Sequence, residues 1–180
     1  DGETARRTIK ERLARITGQS ADDVFLFPSG MAGNFAVHRM LTTLTPGRRT
    51  VQLDFPYVDV LKLQEIFGSG ASFVPFNDEG DYDRLHAIIE SEPLAGIFAE
   101  MPSNPLMKCV DLRRVSEMLF LEEKDVPLIV DDTVATNVNV DAFLIADVVT
   151  TSLTKAFSGA GDVLAGCVIL NGDSPYHDDF

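Results

Sequence analysis

A lysine preceded by two hydroxyls and followed by small residues, Ser152-Leu153-Thr154-Lys155-Ala156, is the stretch of this chain best suited to covalent chemistry. A primary amine in that company forms a Schiff base with an aldehyde, and the hydroxyls can hydrogen-bond a phosphate attached to it. Taken alone, Ser-x-Thr-Lys reads equally as a solvated turn at a strand end. The chemical reading therefore needs partners, and three strand ends offer them. Pro28-Ser29-Gly30-Met31-Ala32-Gly33 turns from a strand into a helix, exposing the Gly30 and Met31 N–H groups to an anion, or forms an ordinary tight turn. Tyr57 follows the strand Arg49–Leu53, where an aromatic ring can stack on a planar ligand or serve packing alone. Asp131 directly follows the apolar run Pro127-Leu128-Ile129-Val130, facing a cofactor or capping a loop.

The elements that position these residues follow from hydrophobic periodicity. Ile9, Leu13 and Ile16 sit at helical spacing within residues 3 to 17, and Gly18 ends that helix. Short apolar strands are expected at Val24–Phe27, Arg49–Leu53, Ala71–Phe76, Leu94–Phe98, Pro127–Val130, Ala146–Val149 and Ala165–Leu170. Helical patterns fill the intervals at residues 30–44, 82–90 and 112–123, and another opens with Pro56 in its first turn and runs to Phe67. The alternation predicts an α/β domain: a mostly parallel seven-stranded sheet with helices on both faces. Such sheets bind ligands at the C-terminal ends of their strands, where Lys155 is expected to emerge. In Met101-Pro102-Ser103-Asn104-Pro105, two prolines hold the Asn104 amide for a ligand or for the turn itself.

Composition removes other classes. At 180 residues and 45% hydrophobic, the chain suffices for one domain with a substantial core. A net charge of −13 argues against a nucleic-acid partner. No apolar run approaches the roughly 18 residues of a membrane span, and the first residues lack a signal-peptide core, so a cytoplasmic location is the default expectation. Cys109 and Cys167 are expected as buried, unreactive thiols. His38, His86 and His177 fall in no ligand motif: His38 is expected on a helix face and His177 in a frayed end, and no metal site is expected.

Taken together, Ser29-Gly30-Met31, Asp54-x-x-Tyr57, Glu100-x-Pro102-Ser103-Asn104-Pro105, Val130-Asp131-x-Thr133 and Ser152-x-Thr154-Lys155 resemble the cysteine and methionine metabolism family of pyridoxal-phosphate enzymes, those of trans-sulfuration. Phe27-Pro28-Ser29-Gly30-Met31 and Phe55-Pro56-Tyr57-Val58-Asp59 are most similar to its fungal cystathionine γ-synthase branch. The resemblance implies the fold type I large domain and pyridoxal 5′-phosphate as cofactor. Lys155 would be the Schiff-base lysine and proton shuttle, and Tyr57 the stacking ring that aids amine deprotonation. Gly30, Met31, Ser152 and Thr154 would bind the phosphate, and Asn104 the ring oxygen. Asp131 would pair with the pyridinium nitrogen. Where the family has Val-Asp-Asn-Thr this chain has Val130-Asp131-Asp132-Thr133, which leaves Asp132 as an alternative partner.

The implied reaction is γ-substitution or elimination on an activated homoserine or sulfur amino acid, with a cystathionine γ-synthase ahead of a C–S lyase or an O-acetylhomoserine sulfhydrylase. A non-catalytic module retaining the fold is the other class. The resemblance also implies a homo-oligomer, and it places the family's N-terminal arm and C-terminal small domain outside residues 1–180.

Overall fold

The computed structural model describes residues 1–180. Seven strands form one sheet: β1 Val24–Phe27, β2 Arg49–Leu53, β3 Ala71–Val74, β4 Leu94–Glu100, β5 Leu128–Asp131, β6 Val148–Thr151 and β7 Gly166–Leu170. Their spatial order is β1-β7-β6-β5-β4-β2-β3, and only β7 runs antiparallel to its neighbours. The expected α/β architecture is therefore present. The chain leaves β2 in one direction to reach β3, then returns to β4 and proceeds the other way. This reversal puts a topological switch point between the C-terminal ends of β2 and β4, the place where open α/β sheets form a ligand crevice.

Side-chain alternation along the strands builds two cores. Leu128, Val130 and Val149 face one side, with Tyr82, Leu85 and Ile89 of α4 (Gly80–Ser91) and Leu112, Val115 and Leu119 of α5 (Leu112–Leu121). Ile129, Val148, Val168 and Leu170 face the other, under Val37 and Leu41 of α2 (Gly30–Leu44) and Val60 of α3 (Val58–Phe67). Leu13 of α1 (Gly2–Thr17) packs on Val24, Cys167 and Ile169 at the β1–β7 end. Helices thus cover both faces, as continuous apolar strands require.

The helix ends are set by local chemistry. The Asp1 carboxylate accepts the Thr4 N–H at 2.9 Å to start α1, and Gly18, at φ 74°, ends it in the left-handed region open to glycine. Ser29 caps α2 through the Ala32 N–H at 3.1 Å. Pro56, expected inside the first turn of α3, lies two residues ahead of it. Tyr57 occupies the cap position because its N–H is taken by Glu100, so the helix begins at Val58.

Other expectations need revision. Ala146 and Asp147 precede β6 rather than belonging to it, which carries Thr150 and Thr151 into the strand. A four-residue helix, α6 (Thr136–Asn139), and a 3-10 turn at Ala142–Leu144 fill an interval too short for periodicity to reveal. Cys109 is exposed, on a loop outside the core, whereas Cys167 is buried and its thiol is pushed up to about 12 by burial. His177 is pinned in place, its Nε2 lying 2.9 Å from Asp23 Oδ1. His38 does lie on a helix face, but on the inward one, where burial lowers its pKa. No helix is long and apolar enough to cross a membrane.

Candidate active site

The C-terminal ends of β1, β2, β4, β5 and β6 and the start of β7 share one edge of the sheet, and most of the residues singled out from sequence stand there. At the β1–α2 junction, α2 begins with Gly30 and Met31, whose N–H groups lie before the first intrahelical acceptors and point outward. Gly30 presses directly on the residue ahead of the lysine loop: a Cβ built on it would lie 2.9 Å from Ser152 Cβ. From below, Gly166 supports the same turn so closely that its own Cβ would fall 2.4 Å from the Ser29 carbonyl. Only glycines permit this approach of three backbones, and the result is a cradle that holds the N-terminus of α2, a position favourable to an anion, beside the lysine loop.

The lysine loop is held by its own residues. Thr154 Oγ donates to the Ala165 carbonyl at 3.1 Å and accepts the Ala165 N–H at 3.0 Å, tying the loop to the approach to β7. The Lys155 N–H donates to Ser152 O at 3.2 Å, and Lys155 O accepts the Gly159 N–H at 2.9 Å. Lys155 thus sits in a turn four residues beyond β6, with an exposed side chain on a fixed backbone. The Ser152 N–H donates to Thr133 Oγ at 2.8 Å, which ties this loop to the end of β5.

Alternation separates the two adjacent acids. Asp131 is the last residue of β5 and points to the α2 side, with Ile129. Its Oδ1 accepts the Thr133 N–H at 3.0 Å and its Oδ2 accepts the Asn34 amide at 3.1 Å. Asp132 points to the opposite face, fully buried, and accepts hydrogen bonds from Thr151 and Asn137. Burial pushes both carboxyls up, that of Asp132 to about 7. For Asp131, hydrogen bonds from Thr133 and Asn34 oppose the shift.

Two residues that sequence reading left without a role complete the edge. Glu100, at the end of β4 and paired in register with Asp131, accepts the Tyr57 N–H at 2.6 Å. It thereby fixes the start of α3 and the place of the exposed Tyr57 ring across the switch point. Asn34 closes a ring of contacts, since its amide also donates to Gly30 O at 3.3 Å and its Oδ1 accepts the Thr150 hydroxyl at 3.0 Å. Gly30, Ser152, Thr133, Asp131 and Asn34 are thus joined in a closed circuit. Asn104 stands apart: it is exposed, on the loop between cis Pro102 and cis Pro105, and its side chain hydrogen-bonds none of the others.

Glu100 supports a stability prediction. Burial, with Asp131 and Asp54 nearby, raises its carboxyl to about 7. Between the ordinary carboxylate value and that point the folded chain holds a proton that the unfolded chain has released, so stability falls as pH rises from about 4.5 to 7. Glu100→Gln keeps an acceptor for the Tyr57 N–H and removes this charge. Urea unfolding should show the variant equal to the parent near pH 4 and more stable by about 1–3 kcal/mol at pH 8. Asp132 contributes a slope of the same sign, so the dependence is reduced rather than abolished. Parallel curves for the two proteins would refute the assignment.

Outside this edge, His86 on α4 lies 2.9 Å from Glu122 and 3.6 Å from Glu90, an ion-pair cluster that raises its pKa and joins α4 to the end of α5.

Known proteins share both sequence and fold with this chain. It is 40% identical over 180 residues to a cystathionine gamma-synthase of Neurospora crassa, covering 96% of this chain and 29% of that protein. It is 36% identical over 164 residues to a cystathionine gamma-synthase-like enzyme of Amanita muscaria, covering 87% of this chain and 27% of that one. The chain thus spans less than a third of the length of either relative. Among solved structures, a putative O-acetylhomoserine (thiol)-lyase of Campylobacter jejuni, with a pyridoxyl-lysine phosphate in its chain, superposes with a TM-score of 0.78 at 25% identity, covering 93% of this chain and 40% of that one. Residues 2–179 match the family described as Cys/Met metabolism PLP-dependent enzyme, and with the fold type I sheet and its glycine cradle, the chain belongs to that family.

Proposed function

We propose that residues 1–180 are the cofactor-binding large domain of a pyridoxal-phosphate enzyme that carries out γ-substitution on an activated homoserine, in the manner of a cystathionine γ-synthase. The observation that carries this reading is the close approach of Gly30, Ser152 and Gly166, which sets the N-terminus of α2, with its Gly30 and Met31 N–H groups, directly beside the lysine turn. The Neurospora crassa relative supports the synthase over its alternatives. The likeness to the Campylobacter jejuni thiol-lyase keeps sulfhydrylase chemistry as the second reading.

Bound at this edge, pyridoxal phosphate would supply an aldehyde for amine capture and a protonated ring that accepts electrons. The Gly30 and Met31 N–H groups and the Ser152 hydroxyl would hold its phosphate, with Thr154 fixing the loop that presents them. Asp131 would face the ring nitrogen and keep it protonated. Tyr57 would cover one ring face and take a proton from the incoming amino group. Asn104, on the loop that leaves the end of β4, would take the ring oxygen. The Lys155 Nζ, first the covalent anchor, would then move protons between Cα and Cβ of the amino-acid substrate. The substrate carboxylate would be met by the family's C-terminal domain, and the phosphate completed by a neighbouring subunit, so the working unit is a homo-oligomer.

The test is titration of the full-length protein with pyridoxal phosphate, borohydride reduction and peptide mapping. A single pyridoxyl group on the peptide holding Lys155 is expected. Labelling spread over the other lysines would sink the reading. Turnover of O-acylated homoserine with cysteine against sulfide then separates synthase from sulfhydrylase.

The two acids give a sharper check. Asp131→Asn should weaken pyridoxal phosphate binding by about ten- to a hundredfold, the range of a hydrogen bond to a charged group. Asp132→Asn, on the opposite face, should leave it within about twofold of the parent. Fluorescence titration measures both, and equal losses would remove the distinction between them.

A further inference from the structure

Asn34 stands one helical turn beyond Gly30 on α2, 2% exposed, in a place where an apolar side chain would pack as well. Every polar atom it has is used. One side of its amide nitrogen donates to Asp131 Oδ2 at 3.1 Å, and the same nitrogen reaches Gly30 O at 3.3 Å. Its oxygen accepts the hydroxyl of Thr150, itself fully buried on β6, at 3.0 Å. Reversing the amide would set its oxygen against a carboxylate and a carbonyl, so one orientation is enforced.

The surroundings of Asp131 make this donor matter. The charged groups near it are all acidic: Glu100 beside it on β4, with Asp54 beyond, and, directed to the other face, Asp132 next in the chain. None of the chain's ion pairs supplies it with a cation. Its ionised form is favoured by neutral donors alone: the Thr133 N–H and the Asn34 amide hydrogen-bond it directly, and the Thr133 and Thr150 hydroxyls add to them. Asn34, Glu100 and Asp131 also line one small cavity under α2 and α3.

We propose that Asn34 is a positioning residue for the cofactor ring: it holds the Asp131 carboxylate ionised and in one rotamer and, through Gly30, couples that carboxylate to the phosphate cradle. This rests on the reading of Asp131 given above, but its first consequence requires no cofactor. In ¹³C-carboxyl NMR titrations of the cofactor-free protein, Asn34→Ala should raise the Asp131 midpoint by about one pH unit or more, a tenfold gain in proton affinity. Thr150→Val, which keeps the side-chain shape, frees the Asn34 oxygen and removes a hydroxyl that itself favours the charged Asp131, should raise it as well. A packing role for Asn34 would lower stability and leave the midpoint unmoved, which would overturn the proposal. If Asn34→Ala fails to fold, Asn34→Leu, which keeps a similar volume and removes the donor, decides alone, an unmoved midpoint again overturning it.

Pyridoxal 5′-phosphate titrated into the same variants should bind more weakly in step with the midpoint, about tenfold for Asn34→Ala. A raised midpoint with unchanged affinity would leave the hold on Asp131 intact and overturn the placement of the ring against Asp131.

Discussion

Lys155→Ala should abolish covalent capture of pyridoxal phosphate while leaving the fold intact. The Lys155 side chain is exposed, and its backbone is fixed by Ser152 and Gly159 independently of the side chain. Truncation therefore opens no cavity, and stability should stay within about 0.5 kcal/mol of the parent. Removing the amine, by contrast, removes the only group in the loop able to form a Schiff base and the proposed proton carrier. Turnover should fall by at least about 10⁴-fold, the upper range for a positioned acid–base group. The readouts are the visible band on adding the cofactor, the borohydride-stable adduct and the thermal midpoint. A variant that still formed a stoichiometric adduct at the sheet edge would refute the role of Lys155, and one that unfolded would refute its exposed, unstrained setting.

Gly166→Ala should be the most damaging single methyl group in the chain. The added Cβ would lie 2.4 Å from both C and O of Ser29 and 2.5 Å from Gly30 N. These are backbone atoms at the start of α2, so no side-chain rotation relieves the clash. Either β7 shifts away from β1 and β6 or the Ser29–Gly30 turn is displaced. Such overpacking should cost about 3 kcal/mol or more, equivalent to roughly 10 °C in thermal midpoint for a chain of this size. Cofactor affinity should fall with it, since the displaced turn carries the Gly30 and Met31 donors. Differential scanning calorimetry checks the first effect and cofactor titration the second. A loss below about 1 kcal/mol would mean the three backbones do not approach as closely as described.

Much of this arrangement is legible in the sequence, and the reasons are local. The apolar runs from Leu94 and Pro127 read as strands because parallel strands are buried on both faces, and their exits mark the ligand edge. The Ser29 cap and the Gly30 that follows declare a helix start by residue type alone. Asp131 and Asp132 could not be told apart from composition. The strand's end had to be known before a period of two could send one to each face. Asn34 and Glu100 passed without a role because their functions lie in partners distant in sequence. An asparagine on a helix looks solvated until Thr150 and Asp131 are seen beside it. The reversed direction of β7 was hidden for the same reason, since an apolar pentapeptide carries no sign of orientation.

That reversed strand also dictates when the site can come into being. β7 lies between β1 and β6, so Val24 finds its partner Ile169, and Gly30 its support in Gly166, only once the residues through β7 are available, more than 130 positions later in the sequence. Until then β1 has no neighbour in the sheet, and α2 starts from an unsupported turn. Pairings of such long sequence separation close late, after the local β–α units have condensed. The anion cradle is accordingly expected to mature last in the domain. A nascent or C-terminally clipped chain should retain the β2-to-β6 body yet be blind to the cofactor, so that cofactor capture reports the completion of folding.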